Sequence, residues 1–78
     1  MALPGLVLGS FSSQENADAR RAEVELVLGE AARVVAATVD GRQRYRIVVP
    51  AERLSLQALK SRARAAGLGE GWRVELPD

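Results

Sequence analysis

The chain of 78 residues contains no cysteine and no histidine. Without cysteine it has no disulfide framework and no thiolate ligand for a metal. Without histidine it lacks the commonest general base and the commonest zinc ligand. Catalysis would have to rely on carboxylates, hydroxyls or the lone lysine, Lys60. We therefore expect a binding module, not an enzyme, with no metal and no cofactor.

Aromatic residues and long apolar runs are also scarce. Phe11, Tyr45 and Trp72 are the only aromatics, so leucine, valine and alanine must supply most of the core. No apolar run approaches the roughly 20 residues that span a bilayer, so we expect no direct membrane insertion. The segment Met1–Leu8 lacks the basic start of a secretory signal. We predict a single domain over residues 1–78 that belongs to a longer chain.

Charge is unevenly distributed along the sequence. The net charge is only +1, but residues 33–64 carry eight basic and two acidic residues. Ten of the eleven cations are arginine, whose planar, forked guanidinium makes contacts that lysine cannot. Two interpretations stay open for this segment: a surface for an anionic or polyhydroxylated partner, or an ordinary solvated surface.

Four short β-branched or apolar runs predict strands, bounded by turn residues. Asp40-Gly41 is a strong hairpin signal, and Pro50 should stop the strand before it. The run Gly9–Ser13 is interpreted as a turn that leads into a helix. The predicted strands are Leu6–Gly9, Arg33–Val39, Arg44–Val49 and Trp72–Leu76.

Two helices are predicted between these strands. Ser12 or Ser13 should cap the first, which ends at Leu28 before Gly29. Two opposite stripes compete for its buried face, and the sequence leaves the choice open. One stripe is Ala17, Val24, Val27 and Leu28; the other is Ala19, Ala22 and Leu26. The second helix begins after Ser55 and ends at Gly67, with a clear apolar stripe of Leu56, Leu59, Ala63 and Ala66.

This order predicts an α+β domain of the βαββαβ ferredoxin-like (RNP-like) kind. Right-handed crossovers give a four-stranded antiparallel sheet with two helices on one face. The other face, called the open face below, has no helix over it. Alternation along the third strand puts Arg44, Arg46 and Val48 on one side and an apolar set on the other. That apolar set (Tyr45, Ile47 and Val49) should meet the helices, which leaves the arginines on the open face.

Three stretches of the sequence resemble the SPOR (sporulation-related repeat) domain. Leu6–Ser13 followed by Asn16-Ala17 is similar to the family's opening strand, Gly-Ser-Phe turn and helix start. Tyr45–Pro50 is similar to its second motif, Tyr-Arg-Val-x-Val-Gly-Pro, and Ala65-Ala66-Gly67 to the end of its second helix. The resemblance extends from Leu6 to Leu76.

The resemblance implies a function and a location. SPOR domains bind bacterial peptidoglycan, chiefly glycan strands stripped of stem peptides, and they concentrate at division septa. It therefore implies a non-catalytic module that targets a longer envelope protein to the septum. The implied location is the periplasm or cell envelope, with peptidoglycan glycan strands as the ligand and divisome proteins as further partners.

The resemblance also implies a ligand-binding set on the open face. Its members are Val7, Ser10, Arg44, Arg46 and Trp72. Guanidinium groups and a serine hydroxyl can hydrogen-bond to sugar hydroxyls, and an aromatic ring can stack on the flat face of a sugar ring. Val7 stands where the family usually has glutamine, and Val49-Pro50 lacks the glycine of Val-Gly-Pro. An exposed arginine can also be a simple solvated charge, Ser10 can simply shape the turn, and a lone tryptophan is often core.

Two other functions remain as alternatives. A regulatory or protein–protein module of ferredoxin-like type could use the apolar back of the first helix, which includes Leu26. RNA binding, which the same topology supports, needs aromatics on the two central strands, and Tyr45 is predicted to face inward. A net charge of +1 is also weak for a polyanion binder, so we expect no nucleic acid among the partners.

Overall fold

The computed structural model describes residues 3–76 and confirms the βαββαβ order. Strands β2, β3, β1 and β4 lie side by side in that order, and each neighbouring pair is antiparallel. Both helices pack on one face of this sheet, as predicted. The elements are β1 (Leu3–Phe11), α1 (Gln14–Leu28), β2 (Arg33–Val39), β3 (Arg42–Pro50), α2 (Leu56–Ala65) and β4 (Trp72–Leu76).

Both helices begin at serine caps. The Ser13 hydroxyl accepts a hydrogen bond from the backbone N–H of Asn16 at 3.4 Å, and the Ser55 hydroxyl accepts one from Ala58 at 3.1 Å. Each bond satisfies one of the N–H groups that the first helical turn leaves without a partner. Gly29 ends α1 in the left-handed conformation with φ 73°, as its position in the sequence indicates. The caps therefore fix where the chain leaves the sheet and returns to it.

The main core lies between the sheet and the helices. It is built from alternate residues of β1 and β3 against one stripe of each helix. Its buried members are Leu6, Leu8, Ala17, Val24, Leu28, Ala32, Ile47, Val49, Leu59 and Ala63. The choice between the two stripes of α1 is settled here, because Ala17, Val24 and Leu28 are buried whereas Leu26 is 84% exposed.

Two strands are longer than the sequence predicts. Strand β1 begins at Leu3, not Leu6, and continues through Phe11, so the expected turn at Gly9–Ser13 is wrong in its first half. Pro4 and Gly5 are accommodated because they lie at the start of the strand, where Pro4 can still accept a hydrogen bond from Ala51 N–H at 2.8 Å. Strand β3 likewise spans Arg42–Pro50, so the proline is its last residue rather than the first one after it.

A β-bulge interrupts the pairing of β1 with β3. Val7 lies opposite Val48, whereas Ser10 lies opposite Arg46, so two residues of β1 face one residue of β3 between them. A bulge shifts the alternation of side chains by one position. Beyond it, Phe11 points to the helix side, where it packs against the main core, and Ser10 points to the open face.

Candidate binding site

Arg46 and Trp72 meet on the open face although their strands are not neighbours. Strand β1 lies between β3 and β4, so the Arg46 side chain must cross β1 to reach the ring. Its guanidinium carbon lies 5.9 Å from the centroid of the Trp72 ring, which is within the range of a cation–π contact. The Trp72 side chain is 45% exposed, so it is not a core residue. Much of this aromatic surface is available to a ligand.

A small apolar cluster forms the floor under this contact. Val7 of β1 lies between Val48 of β3 and Trp72 of β4 in the strand register. Val7, Val48 and Leu76 are buried, and Leu3, Val35 and Val74 pack against them. Val7 has no exposed surface, so it can serve a site only as the support on which Arg46 and Trp72 rest.

The bulge in β1 brings Ser10 into the same site. Strict alternation would put Val7 and Ser10 on opposite faces of the sheet, because they are three residues apart. The extra residue restores Ser10 to the open face, directly opposite Arg46. Ser10 is exposed, so its hydroxyl can donate to and accept from a ligand. Gly9 inside the bulge is the local signal that sequence reasoning can use for such a shift.

A column of arginines continues from Arg46 along β3. Arg42 and Arg44 follow at intervals of two residues and share its face. Within residues 3–76 no carboxylate lies within ion-pair distance of any of the three. The Nε of Arg46 is buried and has no hydrogen-bond partner in the same range. The described part of the chain thus places three arginines in a row on the open face and pairs none of them with a carboxylate.

Other arginines of the described chain form ion pairs, and these lie away from the arginine column. Arg21 pairs with Glu25 at 2.6 Å on α1, and Arg73 with Glu75 at 2.6 Å on β4. Arg33, at the far end of the open face, lies 3.6 Å from Glu52. The presence of arginine alone therefore does not identify the site. The arginines of β3 differ from these because none of them has a carboxylate neighbour among the described residues.

The loop before β4 is held close to β1 by Gly71. A Cβ atom at this position would lie 2.3 Å from the carbonyl oxygen of Val7, and the residue has φ +68°. Only glycine meets both conditions without displacing the backbone. Because Trp72 follows immediately and pairs with Val7, Gly71 allows β4 to begin close against β1.

The predicted site residues separate into two groups. Ser10, Arg46 and Trp72 surround one patch, with Val7 beneath it, and Arg44 lies one step along the column, half-buried. Arg42 was not among the residues singled out from the sequence, although the alternation of β3 indicates it. Tyr45 packs against the helix-side core, as predicted, so it offers no stacking surface on the open face.

The described residues form neither a metal-binding cluster nor a membrane-spanning helix. Residues 3–76 contain no group of three or more acidic, histidine or cysteine side chains that could hold a metal ion. Neither helix in that range is long and apolar enough to cross a bilayer.

Comparison with known families identifies the class of protein. The family model of the SPOR domain matches residues 5–75, which is nearly the whole chain. The chain belongs to the SPOR domain family. No curated protein matches it significantly.

Two solved structures share the fold. The crystal structure of the SPOR domain of RlpA from Pseudomonas aeruginosa superposes with a TM-score of 0.69 at 15% identity, covering 97% of this chain and 99% of that one. The solution structure of the peptidoglycan binding domain of the cell wall lytic enzyme CwlC from B. subtilis gives 0.64 at 19% identity, covering 99% and 92%. At these identities the similarity is one of fold.

Proposed function

We propose that the open face binds the glycan strands of peptidoglycan and that this module has no catalytic activity of its own. The observation that carries the proposal is the meeting of Arg46 and Trp72 above β1, beside Ser10, on a helix-free surface. Membership of the SPOR family supports it. So does the fold shared with a domain described as binding peptidoglycan.

The chemistry of a glycan strand fits these side chains. Each sugar offers hydroxyl and acetamide groups at its edges and a flat apolar surface on its ring. The exposed part of the Trp72 ring can stack on such a surface. The guanidinium of Arg46 can donate hydrogen bonds to ring hydroxyls or acetamide oxygens. The Ser10 hydroxyl can either donate or accept a hydrogen bond.

The arginine column favours glycan from which the stem peptides have been removed. Amidase cleavage of a stem peptide leaves a free carboxylate on the lactyl group of the sugar. Arg42, Arg44 and Arg46 lack a carboxylate partner within residues 3–76, and a guanidinium binds a carboxylate through two parallel hydrogen bonds. The same removal clears bulky peptides from the path of a flat binding face. Charge and shape thus favour the same form of the glycan.

A pull-down with purified sacculi tests the proposal. The domain is incubated with intact sacculi and with sacculi treated with an amidase, and the bound fraction is measured. We expect binding to increase on the stripped sacculi. A folded domain that binds neither preparation would contradict the proposed function.

Within the same proposal, the domain targets a longer envelope protein to the division septum. Stripped glycan is made where amidases split the dividing wall, so a domain that prefers it accumulates there. A fluorescent fusion exported to the periplasm should form a band at mid-cell in dividing bacteria. An even peripheral signal would contradict septal targeting but leave glycan binding intact, and it would bring divisome proteins into question as partners.

A further inference from the structure

A cavity lies at one end of the β2–β3 hairpin, where the α1–β2 and β3–α2 connections meet. This is the end opposite the Asp40-Gly41 turn. The volume of the cavity is about 320 Å³, close to the roughly 300 Å³ at which small-molecule sites begin. This cavity, called the end cavity below, is lined by Glu30, Ala31, Arg33, Pro50, Glu52 and Arg53.

The end cavity has two cations and two carboxylates, which are only loosely paired. A guanidinium nitrogen of Arg33 lies 3.6 Å from a carboxylate oxygen of Glu52, and one of Arg53 lies 3.5 Å from Glu30. A hydrogen-bonded ion pair closes to roughly 2.7–2.9 Å. Neither pair is hydrogen-bonded within residues 3–76. Both pairs therefore keep donors and acceptors for a further partner.

Glu30 holds a largely buried carboxylate at the wall of the end cavity. Its side chain is 10% exposed, whereas that of its partner Arg53 is 78% exposed. A buried carboxylate has lost most of its water and needs hydrogen bonds to compensate, but Glu30 accepts none from residues 3–76. Its oxygens still reach the cavity, because Arg46 Nε is the only side-chain N or O atom in that range that is sealed from solvent without a hydrogen-bond partner.

We propose that the end cavity binds a free α-amino acid. The ammonium group of the ligand lies against Glu30, and its carboxylate lies against the guanidinium groups of Arg33 and Arg53. Guanidinium groups bind a carboxylate through paired hydrogen bonds, and an ammonium group has three donors for carboxylate oxygens. Because the charges of the lining residues cancel, a ligand with one charge of each sign is preferred to a simple anion or cation. A small amino acid such as alanine fits the volume.

The end cavity is separate from the glycan site on the open face. It adjoins that face through Arg33, which pairs with Val48 across β2 and β3, and through Pro50. Its lining includes none of the residues that surround the glycan site, namely Ser10, Arg44, Arg46 and Trp72. Amino-acid binding there therefore goes beyond the function proposed above and does not depend on glycan binding.

An NMR titration of the isotope-labelled domain with alanine tests the proposal. We expect the backbone amides of Ala31, Arg33 and Arg53 to shift, with a dissociation constant on the order of 1 mM. N-acetylalanine lacks the ammonium group and alaninamide lacks the carboxylate. Each should bind about tenfold more weakly, the loss expected when hydrogen bonds to one charged group are removed. Three ligands that bind alike at equal ionic strength, or no shift of these amides at about 0.1 M alanine, would overturn the proposal.

A charge-removing variant separates ligand binding from a structural role of the ion pairs. Glu30→Gln keeps the size of the side chain and an acceptor oxygen. It should weaken alanine binding about tenfold without weakening the binding of N-acetylalanine, which has no ammonium group. Glu75→Gln is the matched control, since it removes a carboxylate from an ion pair on β4, at the other edge of the sheet. Equal affinities of Glu30→Gln and Glu75→Gln for alanine would contradict the role of Glu30.

A second variant tests the other half of the ligand. Arg53→Gln alters an exposed side chain, so it remains informative if circular dichroism shows that Glu30→Gln is unfolded. It should weaken alanine binding about tenfold without weakening the binding of alaninamide, which has no carboxylate. A loss of the same size for both ligands would show that Arg53 acts only through the structure of the cavity and would overturn the proposed binding mode. None of these results bears on glycan binding by the open face.

Discussion

The guanidinium of Arg46 lies over the ring of Trp72, 5.9 Å from its centroid, although β1 separates their strands. The contact closes over Val7, which has no exposed surface. One side chain thus covers the apolar floor and at the same time presents a cation beside an exposed aromatic ring. We propose that ligand binding by the open face depends on this relationship.

Replacing Arg46 by alanine should weaken binding to stripped glycan about 10- to 100-fold, the loss expected for hydrogen bonds to a charged group. The measurement is the bound fraction on amidase-treated sacculi as a function of domain concentration. Arg62→Ala is the matched control, because Arg62 is an exposed arginine on α2, across the domain from the open face. Equal losses in both variants would mean that net charge, not the site, governs binding.

Trp72 is the only tryptophan, so its fluorescence reports on the open face alone. Adding soluble stripped glycan should shift the emission to shorter wavelength, because a stacked sugar removes water from the exposed ring. Trp72→Phe should retain part of the affinity and Trp72→Ala should lose about 1–2 kcal/mol of binding free energy, since stacking needs an aromatic face. An emission spectrum unchanged at saturating glycan would show that the ring is not in the site.

Gly71→Ala should destabilise the domain by about 2–4 kcal/mol, because it combines a positive φ with a clash against the Val7 carbonyl. Gly69→Ala is the control: Gly69 also has a positive φ, of +88°, but a Cβ there meets nothing within 4 Å. That variant should lose only about 1 kcal/mol. Urea unfolding measures both free energies. Equal losses would mean that the close approach of the loop to β1 does not contribute to the free energy of unfolding.

Leu59→Ala should lower the free energy of unfolding by about 2–5 kcal/mol, because Leu59 of α2 is fully buried in the main core. The matched change Leu26→Ala, on the exposed side of α1, should alter it by less than about 0.5 kcal/mol. A small domain has little stability in reserve, so the first variant should be partly unfolded at 37 °C. A large effect of Leu26→Ala would indicate that the outer side of α1 is covered.

Local signals in the sequence were sufficient to predict the fold. The serine caps, Asp40-Gly41 and the alternation of β3 each act within a few residues, and each is confirmed by the structure. The ends of β1 were missed because pairing on both sides stabilises Pro4 and Gly5 in an extended conformation despite their low strand propensity. This stabilisation comes from the neighbouring strands, so it cannot be predicted from the sequence of β1 alone.

For the candidate site, the sequence indicates which residue types share the open face but not how they are arranged there. Alternation places Arg44 and Arg46 on the open face, but it would place Ser10 on the other side without the bulge. The contact of Arg46 with Trp72 depends on strand order, because it requires β1 to lie between them. The buried stripe of α1 was ambiguous for a similar reason, since both stripes have enough apolar residues and only packing against the sheet decides between them.

Chemical-shift mapping with a soluble, stripped glycan fragment tests whether the open face binds glycan. We expect the Trp72 indole N–H and the backbone amides of Ser10, Arg44 and Arg46 to shift together as the fragment is added. The amides of α1 and α2 should not move. Shifts confined to the helices, or no shift at glycan concentrations that saturate binding to sacculi, would contradict the assignment of the open face as the binding site.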